Sequence, residues 1–202
     1  ESNLLEYQII PSQSTTWSQD NAYRVSGTKA IRGQVPNLDG DSTILQIPFG
    51  KTFDLSSYSH VMLRFSHICK VDTADECRLE VRDASSVGGK WETVSFKDYY
   101  GDAAYYDIYG FNAGSYPIWN VANGSAIPDN KTWWKQEIFD LTDYLAYSHQ
   151  AEFRFVIKKG NKTGSQVNYG WLIDDFELFV ANYPMFSPFV EFISPFVGNK
   201  VY

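Results

Sequence analysis

Eight short runs of this chain read as strands, most of them alternating apolar and polar residues with a period of two, and that alternation most limits what it can fold into. They span residues 4–10, 43–47, 60–69, 77–82, 91–97, 134–139, 151–158 and 171–180. Successive side chains of a strand point to opposite faces, so this period buries one face of a sheet and wets the other. Turn-forming clusters separate the runs at 37–41, 85–89 and 159–164. Only residues 140–147 offer a helical turn. The pattern predicts an all-β, two-sheet antiparallel jelly-roll sandwich. An aromatic share of 17% agrees, because such rings suit pleated, half-buried surfaces.

Charge narrows the partners. The net charge is −7, and the Lys and Arg residues are scattered rather than gathered on one stretch. A nucleic-acid binder needs a basic face to displace counterions, and anionic membranes make a similar demand, so neither is expected. No run of apolar residues is long enough to cross a bilayer, so no membrane insertion is expected.

Two stretches interrupt the strand rhythm. Residues 98–133 form a long insertion rich in Tyr, Trp, Gly and Asn. Loops this long inside a compact domain are usually functional or disordered, and the aromatic content argues against disorder. Tyr99, Tyr100, Tyr105, Tyr106, Tyr109, Tyr116 and Trp119 are the candidate ligand-binding residues. Their rings can stack on the flat C–H faces of a sugar or form an adaptable protein-binding surface. The alternative is that they fold inward as a mini-core under the loop. The other interruption is the tail, residues 183–202, broken by Pro184, Pro188 and Pro195. It is either a linker with the start of a following immunoglobulin-like domain or an edge strand, which leaves residues 1–182 as the binding module.

Three segments, taken in order, resemble the jelly-roll domains of cleaved-adhesin type. These accompany gingipain-like hemagglutinins and immune-inhibitor-A-like metallopeptidases and are related in architecture to MAM domains. The first segment covers residues 53–67, with Asp54-Leu55-Ser56 leading into Leu63, Phe65 and His67. The second is 75–83 with Gly88-Gly89-Lys90-Trp91, and the third joins 140–144, 153–155 and Gly170-Trp171-Leu172-Ile173-Asp174-Asp175. The resemblance implies a non-catalytic module of a larger secreted or cell-surface protein, with a structural Ca²⁺. A glycan or a host or cell-surface protein is the expected partner, alongside neighbouring domains of the same chain.

The Asp174–Asp175 pair is where that metal is expected. Strand parity places only one of two adjacent residues towards the interior, and an inward carboxylate must be neutralised. Calcium does this with carboxylate and carbonyl oxygens, and Glu6 is the candidate third ligand. A pair hydrogen-bonded to a nearby loop is the alternative. Cys69 and Cys77 flank an acidic turn, 71–76, and are expected to lie across a hairpin, either as a disulfide or as two buried thiols. The acidic residues of that turn, Asp72, Asp75 and Glu76, read as solvated.

Enzymatic readings are weaker. His60, His67 and His149 show no partners in sequence, and the parity of His67 with Leu63 and Phe65 marks it as a core residue. No nucleophile elbow, phosphate loop or zinc-protease helix is present. The expected function is an accessory carbohydrate- or protein-adhesion module. A spacer packed on a secreted metallopeptidase or glycosidase, and a jelly-roll glycoside hydrolase, stand as alternatives.

Overall fold

A half-apolar strand is stable only when its apolar face is covered, and here two sheets cover each other. The computed structural model describes residues 8–10, 17–47, 52–103, 110–120, 127–161, 168–182 and 190–193. Among them are the strands β1 (Gln8–Ile10), β2 (Trp17–Asp20), β3 (Ala30–Gly33), β4 (Ser42–Ile47), β5 (His60–Lys70) and β6 (Glu76–Asp83). After these come β7 (Glu92–Thr93), β8 (Lys135–Asp140), β9 (Ala151–Lys158), β10 (Gly170–Ala181) and β11 (Val190–Ile193). A one-turn helix, α1 (Thr142–Leu145), begins where the Asp140 carboxylate accepts the amide of Thr142.

The first sheet runs β1-β4-β9-β6-β7 and the second β2-β3-β10-β5-β8, with every pairing antiparallel. From β3 to β6 the chain crosses between sheets at every step, and it does so again from β8 to β10. Interleaved crossings of this kind make the double Greek key of a jelly roll. The expected fold class is therefore the observed one.

Between the sheets lie Leu45 and Ile47 from β4, Leu79 and Val81 from β6, and Phe153, Phe155 and Ile157 from β9. Opposite them stand Leu63 and Phe65 of β5, Phe139 of β8 and Trp171, Phe176 and Leu178 of β10. Phe155 meets Phe65, Trp171 and Phe176 edge to face at 5.1–5.9 Å, an arrangement favoured by the ring quadrupoles.

Two local departures from sequence periodicity matter. The run at 91–97 becomes only a two-residue strand, because a 3-10 turn at Phe96–Asp98, capped by Ser95, ends it. In the tail, β11 pairs with Leu178–Ala181 of β10, along the half of that strand which β3 leaves free.

Candidate functional site

Many of the described residues of the long insertion turn inward. They fill one flank of the sandwich, which corrects the expectation that Tyr99, Tyr116 and Trp119 form a recognition surface. Phe111 exchanges backbone hydrogen bonds with Cys77 of β6 and packs on Phe65, His67 and Phe139. Gly110 precedes it at φ +75°, where a β-carbon would strike the Cys77 carbonyl, so only glycine admits this approach. Trp119 is fully buried; its indole N–H donates to the Trp133 carbonyl, and its own carbonyl accepts from Lys70 Nζ at 2.7 Å. Burial holds the Lys70 ammonium below the ordinary lysine range, against a smaller opposing pull from Asp72.

A polar network anchors this plug. Glu137 on β8 is fully buried and accepts hydrogen bonds from the hydroxyls of Tyr99 and Tyr116 and from His67 Nε2. The Trp171 indole can only donate, and it donates to His67 Nδ1 at 3.0 Å, so Nε2 carries the proton that goes to Glu137. Burial, reinforced by the Glu137 charge, pushes both tyrosine hydroxyls far above their usual range and keeps them as donors. A buried carboxylate without a cation needs such donors, and this one has three. His67 is the satisfied core histidine that strand parity predicts. Of the remaining expected ligand residues, Tyr100 is 62% exposed, whereas Tyr105, Tyr106 and Tyr109 lie outside the described residues.

The Asp174–Asp175 pair is also placed differently from expectation. Between Asp174 and Glu177 the pairing of β10 with β5 shifts, and Asp175 takes φ +47°. This bulge resets the alternation, so Trp171, Phe176 and Leu178 all face the core although parity places Trp171 opposite the other two. Neither carboxylate then enters the apolar interior. Asp174 accepts the amides of Val25, Ser26 and Asp175, and Asp175 accepts the Ser26 hydroxyl. Burial nevertheless raises Asp174 above the usual carboxylate range, against the lowering effect of those amides. The hydrogen-bond partners of Asp174 are N–H groups, two of them from Val25 and Ser26, which is the arrangement of the alternative in which the pair is bonded to a nearby loop. Glu6 lies outside the described residues.

Cys69 and Cys77 do not face each other across a hairpin of one sheet. They stand on opposite sheets, in register with Trp171 and Ile157 respectively, as free and fully buried thiols. Of the acidic residues in the turn between them, Asp72 and Asp75 are buried rather than solvated, and Glu76 is half-buried. Asp75 is fully buried, with Oδ1 accepting the Gly160 amide, and Asp72 accepts the amide of Ala74.

The remaining candidate is a surface that sequence periodicity did not single out. Outward positions of β6 and β9 carry Arg78, Glu80 and Arg82 beside Glu152 and Arg154. Arg154 Nε donates to Glu80 and Arg82 Nε to Glu152, each at 2.6 Å, and Gln46 of β4 adds a 3.0 Å bond to Glu152. Both guanidinium groups sit over the Trp91 ring, at 4.2 Å for Arg154 and 4.7 Å for Arg82. Planar guanidinium groups stack well on indole, so Trp91 is pinned although it stays half-exposed. Alongside, a cleft of about 340 Å³ opens between the 83–90 turn and α1, lined by Arg82, Asp83, Lys90, Glu92, Asp98 and Tyr144. Asp83 organises its rim. Burial raises this carboxyl, but the hydroxyls of Ser148, Ser85 and Ser86 and the Ser85 amide outweigh burial and hold it down to about 2. The Tyr144 hydroxyl, bonded to Asp98 and to the Ser95 amide, fixes the opposite wall.

No family model matches the chain, and no curated protein matches its sequence. Among solved structures, the chain is similar to the CBM22-2 xylan-binding domain from Paenibacillus barcinonensis Xyn10C. The TM-score is 0.43 and the identity 10%, over 88% of this chain and 92% of that one.

Proposed function

We propose that this domain is a non-catalytic carbohydrate-binding module whose binding face is the outer surface of the five-stranded sheet around Trp91. The observation that carries the reading is the Trp91 platform itself: a half-exposed indole held by two arginines that are each tied to a carboxylate. A sugar ring offers an apolar C–H face bordered by hydroxyls, and its binding site needs one flat apolar surface with fixed donors and acceptors around it. Trp91 supplies the surface. Arg82, Arg154 and Gln46, held in place by the buried carboxylates of Glu80 and Glu152, supply hydrogen-bonding groups whose positions are set before ligand arrives, which limits the entropy lost on binding. The polar cleft beside Trp91 has room for a further sugar unit.

Binding without catalysis suits the interior. Within the core, His67 and Glu137 are both sealed from solvent and spend their polar atoms on each other and on Trp171, Tyr99 and Tyr116. The segments that resemble cleaved-adhesin domains support a place in an exported multidomain protein, where such a module would hold its parent on a glycan.

Native affinity electrophoresis through gels containing soluble neutral and acidic polysaccharides tests the proposal. Retardation by at least one polysaccharide, abolished in Trp91→Ala while the melting temperature is kept, is the expected result. Free migration in every gel would overturn it.

A further inference from the structure

The chain's two cysteines take no part in the proposed binding face, yet their placement is specific. Cys69 ends the core-facing series of β5 and Cys77 begins that of β6, so the two residues belong to opposite sheets. Both are fully buried, and the Cys69 side chain is a close enough neighbour of Cys77 to act on its thiol. The chain between them makes one tight turn, closed by the Asp75 amide donating to the Asp72 carbonyl. On their own sheets Cys69 is in register with Trp171 and Cys77 with Ile157, both buried core residues.

We propose that Cys69 and Cys77 are a modification site: a thiol pair that closes into a single disulfide between the two sheets when the chain folds in the presence of a small-molecule disulfide. The thiolate of one cysteine attacks the small disulfide, forming a mixed disulfide and releasing one small thiol. The sulfur of the second cysteine then attacks the cysteine sulfur of that mixed bond and expels the second small thiol. Two S–H bonds of the protein are lost and one S–S bond forms. The small disulfide takes up both electrons and both protons as two thiols.

Timing follows from burial. In the folded, reduced domain neither sulfur reaches solvent, and burial followed by the neighbouring Cys69 thiol pushes the Cys77 thiol well above its ordinary range. Thiolate, the attacking species, is therefore scarce once the sheets have met, and exchange belongs to the stage before they close. The bond seals a nine-residue loop, 69–77. Loop closure of that size restricts the unfolded chain enough to raise the melting temperature of a domain this large by roughly 5–10 °C.

The test refolds the full chain from denaturant with oxidised and reduced glutathione present, blocks free thiols under denaturing conditions, and maps tryptic peptides. Residues 65–70 and 71–78 fall in separate tryptic peptides, each with one cysteine. The expected result is a linked pair of these two peptides that separates on reduction, with a melting temperature roughly 5–10 °C higher before reduction than after. The double variant Cys69→Ala/Cys77→Ala should melt at the same temperature with and without reductant. Recovery of both peptides unlinked with blocked thiols, or linkage between different chains, would overturn the proposal.

Discussion

The Trp171 indole on β10 reaches diagonally to His67 on β5, its N–H donating to Nδ1 at 3.0 Å, and this one bond sets the polarity of the buried network. It commits Nε2 to Glu137, which with Tyr99 and Tyr116 completes three donors on one carboxylate. The network ties the insertion to β8, and its members are interdependent.

Glu137→Ala should therefore leave three buried donors without an acceptor and cost about 3–5 kcal/mol, the range for breaking a buried charged cluster. Tyr99→Phe removes one donor and also the acceptor of the Ala103 amide, and should cost about 1–2 kcal/mol. Urea unfolding monitored by tryptophan fluorescence measures both. A loss below about 1 kcal/mol for Glu137→Ala would show that the network does not hold the insertion.

The bulge at Asp175 gives a cleaner backbone test. Asp175→Gly and Asp175→Val both lose the bond from the Ser26 hydroxyl, so their difference isolates the backbone. At φ +47° a β-branched residue is strained and glycine is not. The valine variant should be less stable than the glycine variant by about 1–2 kcal/mol in thermal or urea unfolding. Equal stability would mean that the bulge relaxes.

Much of the strand pattern is legible in sequence, and its failures have local causes. The runs at 43–47, 60–69, 77–82, 134–139, 151–158 and 171–180 match β4, β5, β6, β8, β9 and β10 to within two residues at each end, because each is long and half-buried. β2 and β3 escape notice because four residues cannot display a period. Parity fails at Asp174–Asp175 because a bulge is a single extra residue that composition does not announce. The inward turn of Tyr99, Tyr116 and Trp119 depends on Glu137, some 20–40 positions away, which no local pattern links to them. Trp91 stands in the Gly-Gly-Lys-Trp segment that resembles the adhesin hairpin, yet its role depends on Arg82 and Arg154 from neighbouring strands.

Acid should act on this fold in two opposite senses. Asp83 sits at about 2 against an ordinary 3.8, so its stabilisation is present above the ordinary value and is lost as pH falls towards 2. Asp174 and Asp75 are raised, chiefly by burial, so they favour the folded state when protonated and lose that contribution as pH rises through their folded values. Asp83→Asn should be less stable than the parent by about 1–2 kcal/mol at neutral pH, a figure reduced for solvent screening. Thermal unfolding across pH should show that gap closing below the ordinary carboxylate value. A gap independent of pH would contradict the assignment.

The central claim is that Trp91, fixed by Arg82 and Arg154, is the sugar-stacking platform. Its most direct measurement is calorimetric titration of the parent, Trp91→Ala and Trp91→Tyr with a polysaccharide that retards the parent in gels. Loss of a central aromatic anchor commonly costs about 2 kcal/mol or more, so Trp91→Ala should bind at least roughly thirtyfold more weakly, with Trp91→Tyr between the two. Unchanged affinity in Trp91→Ala, with the fold intact, would contradict the claim.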